Sequence, residues 1–261
     1  MGNICCKAVG TEHNVYFDMA MAMLREIMEH NARGERTVMI VPVGPTDQYP
    51  ILADLINQLN VSLKNVHFFN MDEYMLSPTE AVGPEDPLSF YGRMKREFYD
   101  RVRPELVMPE SQRHFPIPGR EAEYDRMLEK LGVDACFGGL GINGHVAFNE
   151  PPEADAPMTA DEFAALGTRV LPISRETKTI NAFGYNRGDL MGMPQWCVTV
   201  GTKQILSAKK VYIALNRPWQ YGPLKHALFD DESAHIPASL LRRCPSVTYC
   251  GTDEVLTGII L

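Results

Sequence analysis

The sequence lacks the features that mark membrane proteins and nucleic-acid-binding proteins. It has no hydrophobic run near the roughly 20 residues that a membrane-spanning helix needs, and it has no cluster of lysine and arginine residues. The formal net charge of -8, from 25 Lys+Arg against 33 Asp+Glu, also opposes contact with a phosphate backbone. We therefore expect a cytoplasmic protein that binds a small molecule, and neither a nucleic acid nor a membrane.

The chain also lacks a cysteine pattern that would predict a metal site or a disulfide framework. None of the cysteines forms a C-x-x-C pair or has a histidine at metal-ligand spacing; they are Cys5, Cys6, Cys136, Cys197, Cys244 and Cys250. The N-terminus lacks the regions of a signal peptide, and Cys6 stands where the myristoylation pattern has Ser or Thr. We expect reduced thiols, no metal and no cofactor.

Short β-rich runs alternate with longer amphipathic stretches along the chain. This alternation is typical of βα units that form a mostly parallel sheet. The predicted strands cover residues 37–43, 65–70, 135–140, 197–200, 211–215 and 246–250. The predicted helices carry apolar residues at three-and-four spacing and cover residues 14–29, 49–59, 88–102, 120–131 and 224–229.

These elements predict one α/β domain over residues 1–261. A chain of 261 residues that is 45% hydrophobic is long enough to bury a full core without disulfides or metals. The predicted architecture is a doubly wound, mostly parallel sheet with helices on both faces. Residues 150–169 are rich in proline, alanine and acidic residues and show no clear period, so we expect a long loop with one short helix there.

Ligands of open α/β sheets bind beyond the carboxyl ends of the strands, so the segments that follow the predicted strands are the candidate site. Residues 139–144 in one of these segments match the G-x-G-x-x-G pattern of dinucleotide-binding proteins. Pro151 and Pro152 follow soon after and exclude the long helix that a pyrophosphate site requires. The glycines instead predict a close approach of backbone amides to a sugar or an oxyanion.

Asp72 and Glu73 stand side by side where a predicted strand ends. Because successive side chains of an extended chain point to opposite sides, the two carboxylates cannot both face one ligand. We expect one of them to line the cleft and the other to form structural hydrogen bonds.

Five segments of the sequence form an ordered set. They are Asn70-Met71-Asp72-Glu73-Tyr74, Gly141-x-Asn143-Gly144-His145-x-Ala147-Phe148-Asn149-Glu150-Pro151, Thr199-Val200-Gly201, Lys225-His226-Ala227-Leu228 and Ile236-Pro237-Ala238-Ser239. In this order, within residues 37–252, they resemble the glucosamine-6-phosphate deaminase/isomerase family. The resemblance implies the fold shared with 6-phosphogluconolactonases and with the sugar domains of some bacterial regulators. It also implies conversion of an amino-sugar 6-phosphate into a ketose 6-phosphate and ammonia.

The same resemblance implies a role for each catalytic candidate. Asp72 would move a proton between C2 and C1 of the opened sugar, His145 would carry the proton of ring opening, and Glu150 would orient His145. The glucosamine enzymes usually have Asp where this chain has Asn143, which can orient a histidine but cannot stabilise its cation by charge. Because related galactosamine-6-phosphate enzymes tolerate this asparagine, it favours another sugar epimer.

The implied phosphate-binding residues are Gly44, Thr46, Gly141, Gly144 and Lys225. The loop departs from the family pattern, because Pro45 lacks a backbone N–H and Asp47 adds a negative charge. The arginine usually found after Asn-Ala is also absent, since Phe183 stands there. We expect weak phosphate binding that depends on Lys225, with Arg175, Arg187 or Arg217 as substitutes from neighbouring loops.

Two other functions stay open at the level of sequence. A lactonase-type hydrolase would use His145 to activate water, and a non-catalytic protein would only bind the sugar phosphate. Regulators of the second kind carry a helix-turn-helix before the sugar domain. About 36 residues precede the first predicted strand, which leaves room for only one long helix. This short segment disfavours a regulator with a helix-turn-helix. The sequence also leaves room for a homo-oligomer.

Overall fold

The computed structural model describes residues 3–259. The strands are β1 (Asn3–Ala8), β2 (Thr37–Val41), β3 (Val66–Asn70), β4 (Asp72–Ser77), β5 (Glu80–Ala81), β6 (Arg113–His114), β7 (Ala135–Gly139), β8 (Arg169–Pro172), β9 (Trp196–Thr199), β10 (Lys210–Leu215) and β11 (Ser246–Gly251). The α-helices are α1 (Glu12–Ala32), α2 (Gln48–Leu59), α3 (Phe90–Met94), α4 (Glu121–Leu131), α5 (Ala160–Ala164), α6 (Arg175–Tyr185), α7 (Thr202–Leu206), α8 (Tyr221–Phe229) and α9 (Asp253–Leu256). A π-helix covers Lys95–Tyr99, and 3-10 helices cover Glu110–Gln112, Pro218–Gln220 and Pro237–Arg243.

A parallel sheet of seven strands forms the centre of the fold, in the order β1-β11-β10-β7-β2-β3-β6. Its inner strands are buried on both faces, as β2 shows: Met39 and Val41 pack into one core, and Val38 and Ile40 pack into the other. Buried strands of this kind read as continuous hydrophobic runs. The predicted fold class, a mostly parallel sheet with helices on both faces, is confirmed.

Helices cover both faces of the central sheet. Buried residues of α1 and α2, such as Met19 and Leu52, belong to the first core, which also contains Phe98 of the π-helix. Buried residues of α4 and α8, such as Leu128 and Leu224, belong to the second core. No helix in this described part of the chain is both long and apolar enough to cross a membrane.

All six predicted strands are present, but they do not belong to one sheet. The predicted strand at residues 197–200 is β9, which pairs antiparallel with β4 and β8 in a second sheet ordered β5-β4-β9-β8. The first strand of the chain is β1, so the expectation that about 36 residues precede the first strand was wrong. β1 lies at the sheet edge and is largely exposed, so its sequence carries little hydrophobic signal.

The predicted helices are present with small shifts of their ends. The predicted helix at residues 88–102 is divided into α3 and the π-helix, and a short helix, α5, lies within the expected loop. Thr159 and Glu162 form a capping box that starts α5. Helix α6 was not predicted, because its few apolar residues show no continuous stripe and only Thr177 and Ala182 are buried.

Glu73 fixes the start of α3 through hydrogen bonds. Its Oε1 accepts hydrogen bonds from the backbone N–H groups of Tyr74 and Phe90, at 2.9 and 2.8 Å. Its Oε2 accepts from the Tyr91 N–H at 2.8 Å and from the Ser89 hydroxyl at 3.1 Å. Ser89 also caps α3, since its Oγ accepts from the Gly92 N–H. Glu73 is therefore the structural member of the acidic pair.

We expect Glu73→Gln to destabilise the fold by about 2 kcal/mol or more, because either orientation of the amide turns an NH₂ group towards two hydrogen-bond donors. Urea unfolding measures the change. Glu85→Gln is the matched control, since Glu85 is exposed and its side chain forms no hydrogen bond within residues 3–259. Equal unfolding midpoints for the two variants would contradict the structural role of Glu73.

Candidate active site

A cavity of about 560 Å³ lies at the carboxyl ends of the central strands. Its wall contains the segments that follow β2, β3, β7 and β10, namely residues 42–45, 71–72, 140–142 and 216–220. The sequence predicted that residues after the strands meet at one site, and the cavity brings together segments from four of these strand ends.

The wall also contains helix α6, which the sequence did not predict as a helix, and the segment around α3. Helix α6 contributes Thr177, Asn181 and Tyr185, and the segment around α3 contributes Phe90 and Arg93. Asn181 donates a hydrogen bond of 2.9 Å to the hydroxyl of Tyr74, which ties α6 to β4. The second sheet and α6 thus close a cavity that the parallel sheet alone would leave open.

Asp72 lies in the cavity wall and is almost completely buried, with 6% of its surface exposed. Within residues 3–259, its carboxylate takes part in no side-chain hydrogen bond, in contrast to that of Glu73. Burial, together with the charge of neighbouring Glu73, raises the pKa of Asp72 well above its ordinary value. A carboxyl group in this state suits proton transfer to and from a ligand.

His145 is held by a chain of hydrogen bonds that runs through Asn143 to Glu150. The Asn143 amide donates to Glu150 Oε2 at 2.6 Å, and its Oδ1 lies 2.7 Å from His145 Nδ1. Because Asn143 Oδ1 can only accept, Nδ1 of a neutral His145 carries the proton and Nε2 keeps its lone pair. The histidine is therefore oriented as a proton acceptor at Nε2.

Glu150 provides the negative charge that Asn143 lacks. Burial raises the pKa of Glu150, but the nearby His145 imidazole and the hydrogen bond from the Asn143 amide outweigh it and lower that pKa to about 2. Glu150 Oε2 is 3.6 Å from His145 Nδ1, close enough to stabilise a protonated imidazole. The substitution of Asn for Asp at position 143 thus leaves a carboxylate beside the histidine.

Gly141 makes room for the imidazole of His145. A Cβ atom at position 141 would lie only 2.1 to 2.3 Å from three atoms of the ring. The Gly141 N–H also donates to the carbonyl of His145 at 2.9 Å, which closes the turn between them. The glycine is required here by close packing against the histidine.

The structure brings most of the predicted site residues to one place. Gly44, Asp72, Gly141 and His145 line the cavity. Asn143 and Glu150 lie behind His145 and contact its ring. Thr46, Gly144 and Lys225 are outside the cavity wall: Gly144 packs against Ile236 and accepts a backbone hydrogen bond from Ala238, and Lys225 is exposed on α8.

Two arginines, Arg93 and Arg217, supply the guanidinium groups of the cavity wall. Arg217 is one of the three substitutes that the sequence suggested, whereas Arg175 and Arg187 do not line the cavity. Arg93 was missed, because nothing in its local pattern distinguishes it from a solvated residue of an amphipathic helix. No group of three or more His, Cys, Asp and Glu side chains within residues 3–259 could hold a metal ion.

We expect Gly141→Ala to displace the His145 ring and break its contact with Asn143, because the added methyl group would occupy the position of the ring. The ¹⁵N shifts of the histidine ring report the tautomer, and they should lose the strong preference for a proton on Nδ1. Gly222→Ala is the matched control, since a Cβ there meets no atom within 4 Å. Wild-type ring shifts in Gly141→Ala would contradict this packing.

The chain is similar to curated glucosamine-6-phosphate deaminases. The protein from Bacteroides thetaiotaomicron is 32% identical over 199 residues, which are 73% of this chain and 67% of that protein. The protein from Phocaeicola vulgatus is 31% identical over 196 residues, 73% of this chain and 69% of that protein. The protein from Shouchella clausii is 27% identical over 248 residues, 92% of each chain. No family model matches the chain.

Solved structures share the fold. A monomeric glucosamine-6-phosphate deaminase superposes with a TM-score of 0.81 at 22% identity, covering 98% of this chain and 99% of that one. A 6-phosphogluconolactonase from Thermotoga maritima gives a TM-score of 0.67 at 16% identity, covering 96% of this chain and 100% of that one. At identities of 22% and 16%, these solved structures show only that the fold is shared. The curated relatives at 31% and 32% identity establish the family. The chain belongs to the glucosamine-6-phosphate deaminase family.

Proposed function

We propose that the protein converts an amino-sugar phosphate into a ketose phosphate and ammonia. The observation that carries the proposal is the pairing, in one cavity, of a buried carboxyl group with a raised pKa and a histidine oriented to accept a proton. Both groups stand at the positions that the family resemblance assigns to them. Asp72 and His145 are the proposed catalytic residues, and Asn143 and Glu150 are the proposed positioning residues.

His145 acts first, by opening the sugar ring. Its free Nε2 accepts the proton of the C1 hydroxyl group and delivers it to the ring oxygen as the bond between C1 and that oxygen breaks. The imidazole is briefly a cation in this step. Glu150, 3.6 Å from Nδ1, stabilises that cation.

Asp72 then transfers a proton within the open-chain sugar. Its carboxylate removes the proton from C2 while the C1 carbonyl oxygen takes a proton from the amino group, which leaves a double bond between C1 and C2. The carboxyl group then returns its proton to C1. The nitrogen is then part of an imine at C2. Water adds to this imine and ammonia leaves, so the products are the ketose phosphate and ammonia. Since burial raises the pKa of Asp72, the carboxyl can hold the proton between the two steps.

The proposed partner is a small sugar phosphate, and the proposed location is the cytoplasm. Gly44 and Gly141 are proposed to let backbone groups approach the ligand, because both glycines line the cavity. The roles of Thr46, Gly144 and Lys225 in phosphate binding, and assembly into a homo-oligomer, stay predictions.

Ammonia release tests the proposed function directly. Glucosamine 6-phosphate, galactosamine 6-phosphate and the two unphosphorylated sugars are incubated with the protein, and both ammonia and the ketose are measured. Release from one of the phosphates supports the proposal and identifies the epimer. Hydrolysis of a sugar-lactone phosphate without ammonia release from any amino sugar would instead support the lactonase alternative.

Replacing Asp72 by asparagine should lower turnover by at least about 10²-fold, because the amide cannot carry the proton between C2 and C1. Exchange of the C2 hydrogen with solvent deuterium, followed by NMR, isolates the step. The thermal unfolding midpoint should stay close to that of the wild type. Exchange at the wild-type rate in Asp72→Asn would exclude Asp72 as the base.

His145→Gln should slow the reaction of the closed sugar far more than that of an open-chain analogue, since only the closed sugar needs ring opening. The ratio of kcat/KM values for the two substrates measures the effect. A similar loss on both substrates would assign His145 to binding rather than to ring opening.

A further inference from the structure

The proposed function requires a place for the phosphate group, and the following inference rests on that function. The protein is negatively charged overall, with a formal net charge of -8, so an anionic substrate meets a repulsive field. Within the cavity wall, by contrast, positively charged side chains outnumber negatively charged ones. Arg93 and Arg217 both line the cavity, and Asp72 is its acidic residue.

Arg93 has no anionic partner in the structure. Within residues 3–259 its guanidinium forms no hydrogen bond and no ion pair, although the side chain is partly buried. Its defined contact is with the ring of Tyr185, whose centroid lies 5.4 Å from Cζ of Arg93. A partly desolvated guanidinium with unused donors gains strong, charge-assisted hydrogen bonds when an anion binds.

Tyr185 contacts Arg93 and lies beside the loop after β2. A Cβ atom at Gly44 would lie 3.6 Å from the Tyr185 hydroxyl, so this hydroxyl points inward although 47% of the residue is exposed. Burial raises the pKa of Tyr185, and the charges of Arg93 and Arg217 act on it in the opposite direction. Both guanidinium groups line the same cavity as the Tyr185 ring.

Arg217 is held by a carboxylate that an anionic ligand can replace. Its guanidinium pairs with Glu12, the first residue of α1, at 3.2 and 3.3 Å. Both side chains are about half exposed, at 51% and 40%, and ion pairs of this kind contribute little to stability. Glu12 also accepts hydrogen bonds from Tyr16 and Asn216, which hold it in place without Arg217.

We propose that Arg93 and Arg217, with the Tyr185 hydroxyl, bind the phosphate group of the sugar, and that Glu12 competes with the phosphate for Arg217. This assignment differs from the expectation that Lys225 carries phosphate binding. Lys225 is exposed on α8 and is outside the cavity wall, whereas the residues just before α8, including Arg217 and Trp219, line it. The proposal therefore gives Arg217 the role in phosphate binding that the sequence gave to the ammonium group of Lys225.

Calorimetric titration of the full chain with glucosamine 6-phosphate and with glucosamine tests the site, and the fluorescence of Trp219 in the cavity wall provides a second signal. Arg93→Gln and Arg217→Gln should each raise the Kd for the phosphosugar by about tenfold or more and change that for glucosamine by less than about twofold. Glu12→Gln should lower the Kd for the phosphosugar about threefold, because the competing carboxylate is gone. Inorganic phosphate should compete with the phosphosugar in the wild type.

Arg126→Gln is the matched control, since Arg126 is exposed on α4 and does not line the cavity. Equal wild-type affinity for both sugars, or a tenfold loss in Lys225→Met without loss in the arginine variants, would overturn the assignment. Ammonia release is measured separately, so the two proposals can fail independently. Phosphosugar binding that depends on both arginines, without any ammonia release, would contradict the proposed reaction but support the anion site.

Discussion

The arrangement of the cavity depends on the four hydrogen bonds that Glu73 accepts. Glu73 and Asp72 are adjacent on β4, and the alternation of an extended chain turns them to opposite sides. Glu73 thereby fixes the backbone of Phe90 and the start of α3, and α3 carries Arg93 into the cavity wall. The same alternation leaves the Asp72 carboxyl group facing the cavity, with no hydrogen-bonding partner in the described part of the chain. One pair of acids thus provides both the scaffold of the site and its proposed base.

A negative charge remains beside His145 although position 143 is an asparagine. An asparagine at position 143 removes one negative charge from the site, yet Glu150 lies 3.6 Å from the imidazole and its pKa is lowered to about 2. Asn143 binds both of these groups and so fixes the tautomer, while Glu150 supplies the charge. Orientation and charge stabilisation, which one aspartate could provide together, are divided here between two residues.

The arginines of the cavity wall also depart from the family pattern. The arginine that the family usually has after Asn-Ala is Phe183 here, and this ring is exposed to 84% at the cavity wall. Arg93 of α3 contacts the ring of Tyr185, and Arg217 lines the same cavity from the segment that follows β10. Two guanidinium groups also offset, locally, the negative charge of the rest of the surface.

The parallel sheet can be predicted from the sequence, since strands that are buried on both faces have to be continuous hydrophobic runs. The sequence also predicts Asp72, Asn143, His145 and Glu150 as site residues, because they lie in short segments whose order along the chain is distinctive. Other parts of the fold and of the cavity wall cannot be predicted in this way. The polar helix α6, the edge strand β1 and Arg93 carry no local pattern, and Arg217 was one of three arginines among which the sequence did not choose. Their positions follow from long-range packing, and an arginine in a cavity wall has the same sequence signature as one in solvent.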